Sequence, residues 1–189
     1  MPVYAPERGS LNTVLVPPAI NDATQISNTV TETIMVPDTA LPAGFFAVDT
    51  TLRGLVRGVC SNVITTPGTL IYRIRLGVTT LSATAVVASR AIGLDTTAQT
   101  NAPFELRFEI VCRSSGTGGT ALMSGMAQQY NVLAATAANL LPTLLPVGTN
   151  AAQTVNTTVA NILSVSAQFS VATSPTNLTA QTYILEQLV

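Results

Sequence analysis

An all-β fold, built as two antiparallel sheets packed into a sandwich, follows from three features of this chain. Apolar and polar residues alternate with a period of two in short runs, almost perfectly over 103–113. The runs are closely spaced and separated by Gly, Pro, Asn and Asp, the residues of turns. No stretch shows the 3.6-residue apolar period of an amphipathic helix convincingly. With 189 residues the chain can bury one good core, so a sandwich domain is expected over 26–189 behind an extended arm over 1–25.

The arm contains Pro2, Pro6, Pro17 and Pro18, which exclude helix there, and only 11–16 reads as a short strand. Its apolar residues Val3, Tyr4, Leu11, Val14, Leu15 and Val16 are candidate contact residues, against a neighbouring subunit or against the arm's own domain. Regular text begins with a strand over 28–36. A loop with Pro42 and Gly44 follows, then a strand over 50–63. Thr66-Pro67-Gly68 suits a type II turn, which favours Pro followed by Gly. Strands over 69–76 and 79–88 come next, joined by a tight reversal at Gly77. Loop 93–103 then leads into the strand 103–113.

That strand is the clearest in the chain. Phe104, Leu106, Phe108, Ile110 and Cys112 share one face; Glu105, Arg107, Glu109, Val111 and Arg113 share the other. A one-residue slip would bury four charges, so its register is strongly specified. Arg73 and Arg75 face away from Leu70, Tyr72, Ile74 and Leu76, and Arg53 and Arg57 share a face with Leu55 and Val59. Cross-strand Glu–Arg pairs are therefore expected, with Glu105 and Glu109 opposite Arg73 and Arg75, each worth roughly 0.2–1 kcal/mol. The flexible connection Ser114-Ser-Gly-Thr-Gly-Gly119 leads to a strand over 120–130. Segment 132–152 is ambiguous among loop, helix and strand, and runs at 153–158, 161–171 and 177–188 complete the list. Inner-face candidates are Val56, Leu70, Tyr72, Ile74, Phe104, Leu106, Phe108, Ile110, Leu163, Val165, Phe169 and Ile184.

Composition narrows the function. The chain has no His, no Lys and no Trp, and only 8 basic and 9 acidic residues. Charged residues at 9% fall far below the usual quarter of a soluble domain. Either the surface is polar but uncharged, or much of it is covered by copies of the chain or a larger partner. The net charge of −1 creates no field for nucleic acid, and no apolar run is long enough to span a membrane. The N-terminus lacks the basic head and apolar core of a signal peptide. All basic residues are Arg, which suits planar, multidentate ion pairs at interfaces or between strands. Arg53, Arg57, Arg73, Arg75, Glu105, Arg107 and Glu109 are the candidates for that role.

Catalytic chemistry finds little to work with. Without His or Lys there is no Ser–His, Cys–His or Ser–Lys pair. Glu105 and Glu109 sit about 13 Å apart along a strand, wide for a carboxylate pair, and have arginine neighbours. Asp38, Asp49 and Asp95 lie in loops and have the chemistry to bind calcium, but no clustered acidic motif favours it, and the Gly-rich 114–119 lacks the Lys of a phosphate loop. Asn156-Thr-Thr158 and Asn177-Leu-Thr179 match the glycosylation sequon, read as coincidence without an export signal. Cys60 and Cys112 each fall in a strand and read as buried free thiols rather than a disulfide. No enzyme, cofactor or metal is expected.

Several stretches together resemble a known group. They are Thr29-Val-Thr-Glu-Thr33, Leu41-Pro-Ala-Gly-Phe-Phe46, Leu52-Arg-Gly-Leu-Val-Arg-Gly58, Thr69-Leu-Ile-Tyr-Arg-Ile-Arg-Leu-Gly77, and the run from Ala102 through Pro-Phe-Glu-Leu-Arg-Phe-Glu-Ile-Val-Cys-Arg-Ser-Ser to Gly116. Over about 28–188 the chain resembles small β-sandwich structural proteins of tailed bacteriophages, which decorate the capsid or form head or tail fibres. The resemblance implies a jelly-roll sandwich, a homotrimer and no catalytic residues. It also implies a virion location after assembly in the host cytoplasm. The expectation is a capsid decoration (cement) protein whose partner is the major capsid protein, with arm or loop 132–152 clamping the shell and Arg53, Arg57, Arg73 and Arg75 pairing with acidic capsid surface. A fibre or receptor-binding domain is the alternative, but the chain lacks Trp platforms for sugar and a shaft. A single-jelly-roll capsid protein fits by size, but the chain has no basic arm for a genome-lining face.

Overall fold

The computed structural model describes residues 25–63, 65–129 and 142–188, together with the backbone of 13–19. All the regular structure among them is antiparallel β, in two sheets. The strands are β1 (Thr13–Ala19), β2 (Gln25–Ser27), β3 (Thr33–Ile34), β4 (Thr39–Leu41), β5 (Thr51–Asn62), β6 (Thr69–Gly77), β7 (Ala85–Ala88), β8 (Ile92–Gly93), β9 (Gln99–Ser114), β10 (Thr120–Gln129), β11 (Thr143–Leu145), β12 (Gln153–Thr154), β13 (Asn161–Phe169) and β14 (Asn177–Leu188).

The large sheet runs β1-β14-β5-β9-β10-β11, with β2 also on β14 and β12 on β10; the small sheet runs β3-β13-β6-β7, with β4 on β13 and β8 on β6. The pairings are nested. β1 and β2 pair with β14, β3 and β4 with β13, β5 with β9, and β6 with β7. This is the pattern of one long hairpin folded across two layers, closed by β5 against β14 and β6 against β13. The β10–β12 segment is an insertion that widens the large sheet beyond β9.

Alternation places the core. Leu52, Val56, Phe104, Leu106, Phe108 and Ile110 from the large sheet meet Leu70, Tyr72, Ile74, Leu76, Leu163, Val165 and Phe169 from the small one, all buried. Tyr72 and Phe104 stack across the layers with ring centroids 5.7 Å apart. Cys112 completes the inward face of β9, and both cysteines are free and buried.

Several sequence expectations are corrected. Ile184 is not an inner-face residue: Tyr183 and Leu185 are buried and Ile184 is only half-buried. A register shift between Ala180 and Thr182 inserts Gln181, and one extra residue reverses the facing of everything beyond it. The run 28–36 is not one strand. Asn28, at φ 49°, turns the chain out of β2, as Asn tolerates, and β3 begins only at Thr33. Strand 79–88 shortens to Ala85–Ala88 because 78–84 is held as a loop: Leu81 N donates to Ser164 Oγ (3.1 Å) and Arg75 Nη1 to the Ser82 carbonyl (3.2 Å). In segment 132–152, Thr143–Leu145 is strand, while 130–141 lie outside the described residues. Of the expected 153–158, only Gln153–Thr154 pairs.

Candidate interaction surface

The outer face of the large sheet is organised by register into transverse rows. Glu186, Arg53, Glu109 and Ser124 lie side by side across β14, β5, β9 and β10. The next row is Ile184, Leu55, Arg107, Met126 and Leu144, reaching β11. Thr182, Arg57, Glu105 and Gln128 form the third. An apolar stripe with one arginine at its centre thus runs between two polar rows.

The acids of β9 pair with β5, not with β6. Arg53 lies 2.9 Å from Glu109, and Arg57 Nε donates to Glu105 Oε2 at 2.6 Å. Arg107 donates to the other oxygen of Glu105, two residues away on the same strand. Burial raises the Glu105 pKa, but the hydrogen bonds from Arg107 and Arg57 outweigh it and hold the carboxyl below its ordinary value. The expected partnership of Glu105 and Glu109 with Arg73 and Arg75 is overturned, because β6 belongs to the opposite sheet and its outer face points the other way.

Arg73 and Arg75 instead meet Glu32, a residue the sequence reading did not single out. Glu32 lies on the segment between β2 and β3 that crosses the outer face of the small sheet. Arg75 holds it with two bonds, Nε to Oε1 at 2.6 Å and Nη2 to Oε2 at 2.7 Å, and Ser166 Oγ donates to Oε1 at 2.6 Å. Arg73 adds a looser contact at 3.4 Å. All three charged side chains are less than a fifth exposed. Burial raises the Glu32 pKa, but the bonds from Arg75 and Ser166 and the charges of Arg75 and Arg73 outweigh it, so it titrates below its ordinary value. The only local sign of this role is an acid placed alone in the Thr-rich run 29–33.

A groove of about 800 Å³ opens on the large sheet where the apolar stripe meets the chain after β11. Arg53, Leu55, Arg107, Met126, Leu144 and Pro146 are among its lining residues, and Leu144 is 68% exposed. At the end of the sandwich where β5 begins, three loops form a tip. Gly44 N donates to the Thr157 carbonyl (2.9 Å) and Thr157 N to the Gly116 carbonyl (3.0 Å), tying 42–50, 115–118 and 157–160 together. Val48 and Val159 are exposed there, and Asp49 is the one charged residue in these three stretches.

Of the arm candidates, Val3, Tyr4 and Leu11 lie outside the described residues. Val14, Leu15 and Val16 lie in β1, whose backbone pairs with β14 of the same chain. Burial pushes the Cys60 thiol up to about 12 and raises Cys112 as well, so neither is a ready nucleophile. Among the described residues no three His, Cys, Asp or Glu side chains gather around a possible metal position. No family model, curated protein or solved structure matches the chain.

Proposed function

We propose that this chain is a non-enzymatic structural protein of a tailed-bacteriophage virion, a decoration (cement) protein of jelly-roll type. It binds the outer surface of the head through the major capsid protein and stabilises capsomer junctions as a homotrimer. The observation that carries the reading is the uneven placement of charge. The outer face of the large sheet carries Arg53, Arg57, Glu105, Arg107, Glu109, Arg113 and Glu186, half of the charged side chains among the described residues. Against the small sheet, Arg73 and Arg75 share the single carboxylate of Glu32, and all three are mostly buried. The tip is left almost without charge and exposes valine.

A protein that sits on a shell needs one hydrated face for solubility and other surfaces that pack without desolvating charge. The charged face serves the first need and the tip the second, with the arm as a second attachment. Each contact is weak, and repetition over a shell multiplies them. The nested strand order supports the jelly-roll assignment, which is two interleaved Greek keys in two sheets.

The test is co-sedimentation with empty heads, together with the native mass by light scattering. A mass near three times 19.6 kDa and binding to heads are expected. Val48→Asp and Val159→Asp should abolish binding without unfolding the protein, and deletion of 1–12, which leaves β1 in place, should weaken it. Arg57→Glu should bind normally. A monomer that ignores heads overturns the reading, and normal binding by the tip variants overturns the tip as the attachment surface.

A further inference from the structure

Asn62 ends β5, and Asp95 lies in the connection between β8 and β9. They meet at the end of the sandwich opposite the tip, and each is 1% exposed. Asp95 Oδ1 accepts one hydrogen bond, from Thr97 N at 2.9 Å, while Oδ2 is buried without a partner. Among the described residues no cationic side chain forms a salt bridge with Asp95. Asn62 Oδ1 is likewise buried and unpartnered.

Around the Asn62 amide nitrogen, carbonyls outnumber hydrogens. Three carbonyl oxygens converge on the Asn62 amide nitrogen: Asp95 at 2.7 Å, Val63 at 3.2 Å and Thr97 at 3.5 Å. That nitrogen has only two hydrogens to give. The Gln99 amide approaches the same Thr97 carbonyl at 3.4 Å. A buried carboxylate with a bare oxygen is costly unless a cation neutralises it or a metal coordinates it. The two unpartnered side-chain atoms of the cluster, Asp95 Oδ2 and Asn62 Oδ1, are both oxygens, and one belongs to a carboxylate. That is the ligand chemistry of a hard cation.

We propose that the unpartnered oxygens of Asp95 and Asn62 form the core of a binding site for a hard cation of the calcium or sodium class. One carboxylate is a low ligand charge, so calcium affinity belongs to the weak range of about 10⁻⁴–10⁻³ M. Asn62 leads into the β5–β6 crossover and Asp95 lies in the β8–β9 crossover; Leu94 N already donates to the Gly68 carbonyl between them at 3.0 Å. Bound cation ties these two crossovers together. The inference does not rest on the virion reading.

Thermal unfolding of the full chain, followed by circular dichroism, tests it. Protein stripped with chelator should gain several degrees in about 10 mM calcium, and Asp95→Asn should lose that gain. Asn62→Asp adds a second carboxylate, so it should melt lower in chelator and gain more from calcium than the native chain. A rise with sodium over potassium at equal ionic strength, absent in Asp95→Asn, supports the same oxygens holding the monovalent ion. Equal melting in chelator, calcium, magnesium and sodium overturns the proposal, as does an equal gain in native and Asp95→Asn protein. Should Asp95→Asn fail to fold, calorimetric titration of the native chain with calcium and with sodium decides: one site per chain for either supports it, none for both overturns it.

Discussion

Gly54 on β5 lies directly opposite Phe108 on β9, and a Cβ at Gly54 would sit 2.0 Å from the Phe108 ring. Gly125 flanks the same residue from β10. Four residues along, Gly58 faces Phe104 in the same way, with the ring 2.8 Å from its would-be Cβ. The spacing of glycines in Leu52-Arg-Gly-Leu-Val-Arg-Gly58 therefore matches the spacing of phenylalanines in β9. The glycines leave room for two large rings in the core.

Overpacking is the expected consequence of filling that room. Gly54→Ala should destabilise the fold by about 1–3 kcal/mol, read from urea unfolding. Combined with Phe108→Leu, it should cost less than the sum of the two single changes, because the shorter side chain yields the space. Strict additivity would contradict the contact.

Glu32 makes stability depend on acid. A carboxyl held below its ordinary value of 4.5 favours the folded state above that pH and ceases to as pH falls through its folded value. Both Glu32 and Glu105 are depressed, so stability should fall on acidification below pH 4.5. Glu32→Gln should cost about 1–3 kcal/mol at neutral pH and should flatten the acid limb. An unchanged acid limb in Glu32→Gln would assign the dependence to other groups.

The β5–β9 ion pairs are exposed and should contribute little. A double-mutant cycle on Arg53 and Glu109 should give about 0.2–1 kcal/mol, shrinking in high salt. The same cycle on Arg73 and Glu105 should give none, since the two lie on opposite sheets. A coupling between Arg73 and Glu105 would contradict the topology.

Buried thiols should be silent. Cys60 and Cys112 should not react with a thiol reagent at pH 8 in the native protein and should react at once in denaturant. Labelling of the native state within minutes would place at least one of them at the surface.

Part of this architecture is written in local sequence. The alternation in 103–113 states both that β9 is a strand and which face it buries, because a period of two admits one arrangement in a half-buried sheet. Thr66-Pro67-Gly68 states its turn, and Gly68 does adopt φ 70°. Local chemistry suffices where a residue answers only to its neighbours in sequence. The rows of the large sheet were not readable in this way, nor were the tip, the groove and the Asp95 cluster.

Composition and short-range pattern by themselves determined the all-β class, the facing of β5, β6 and β9 and the burial of both cysteines. Tertiary structure alone decided which acid meets which arginine. Glu105 and Glu109 have equally plausible partners in Arg53, Arg57, Arg73 and Arg75, and all lie within strands of suitable length. The choice depends on β6 crossing to the other sheet, an event set by packing of the whole core. It also decided the facing of Ile184 and the role of Glu32. A one-residue bulge and a segment folded back over a sheet leave no periodic trace, because the forces that hold them come from residues far away in the chain.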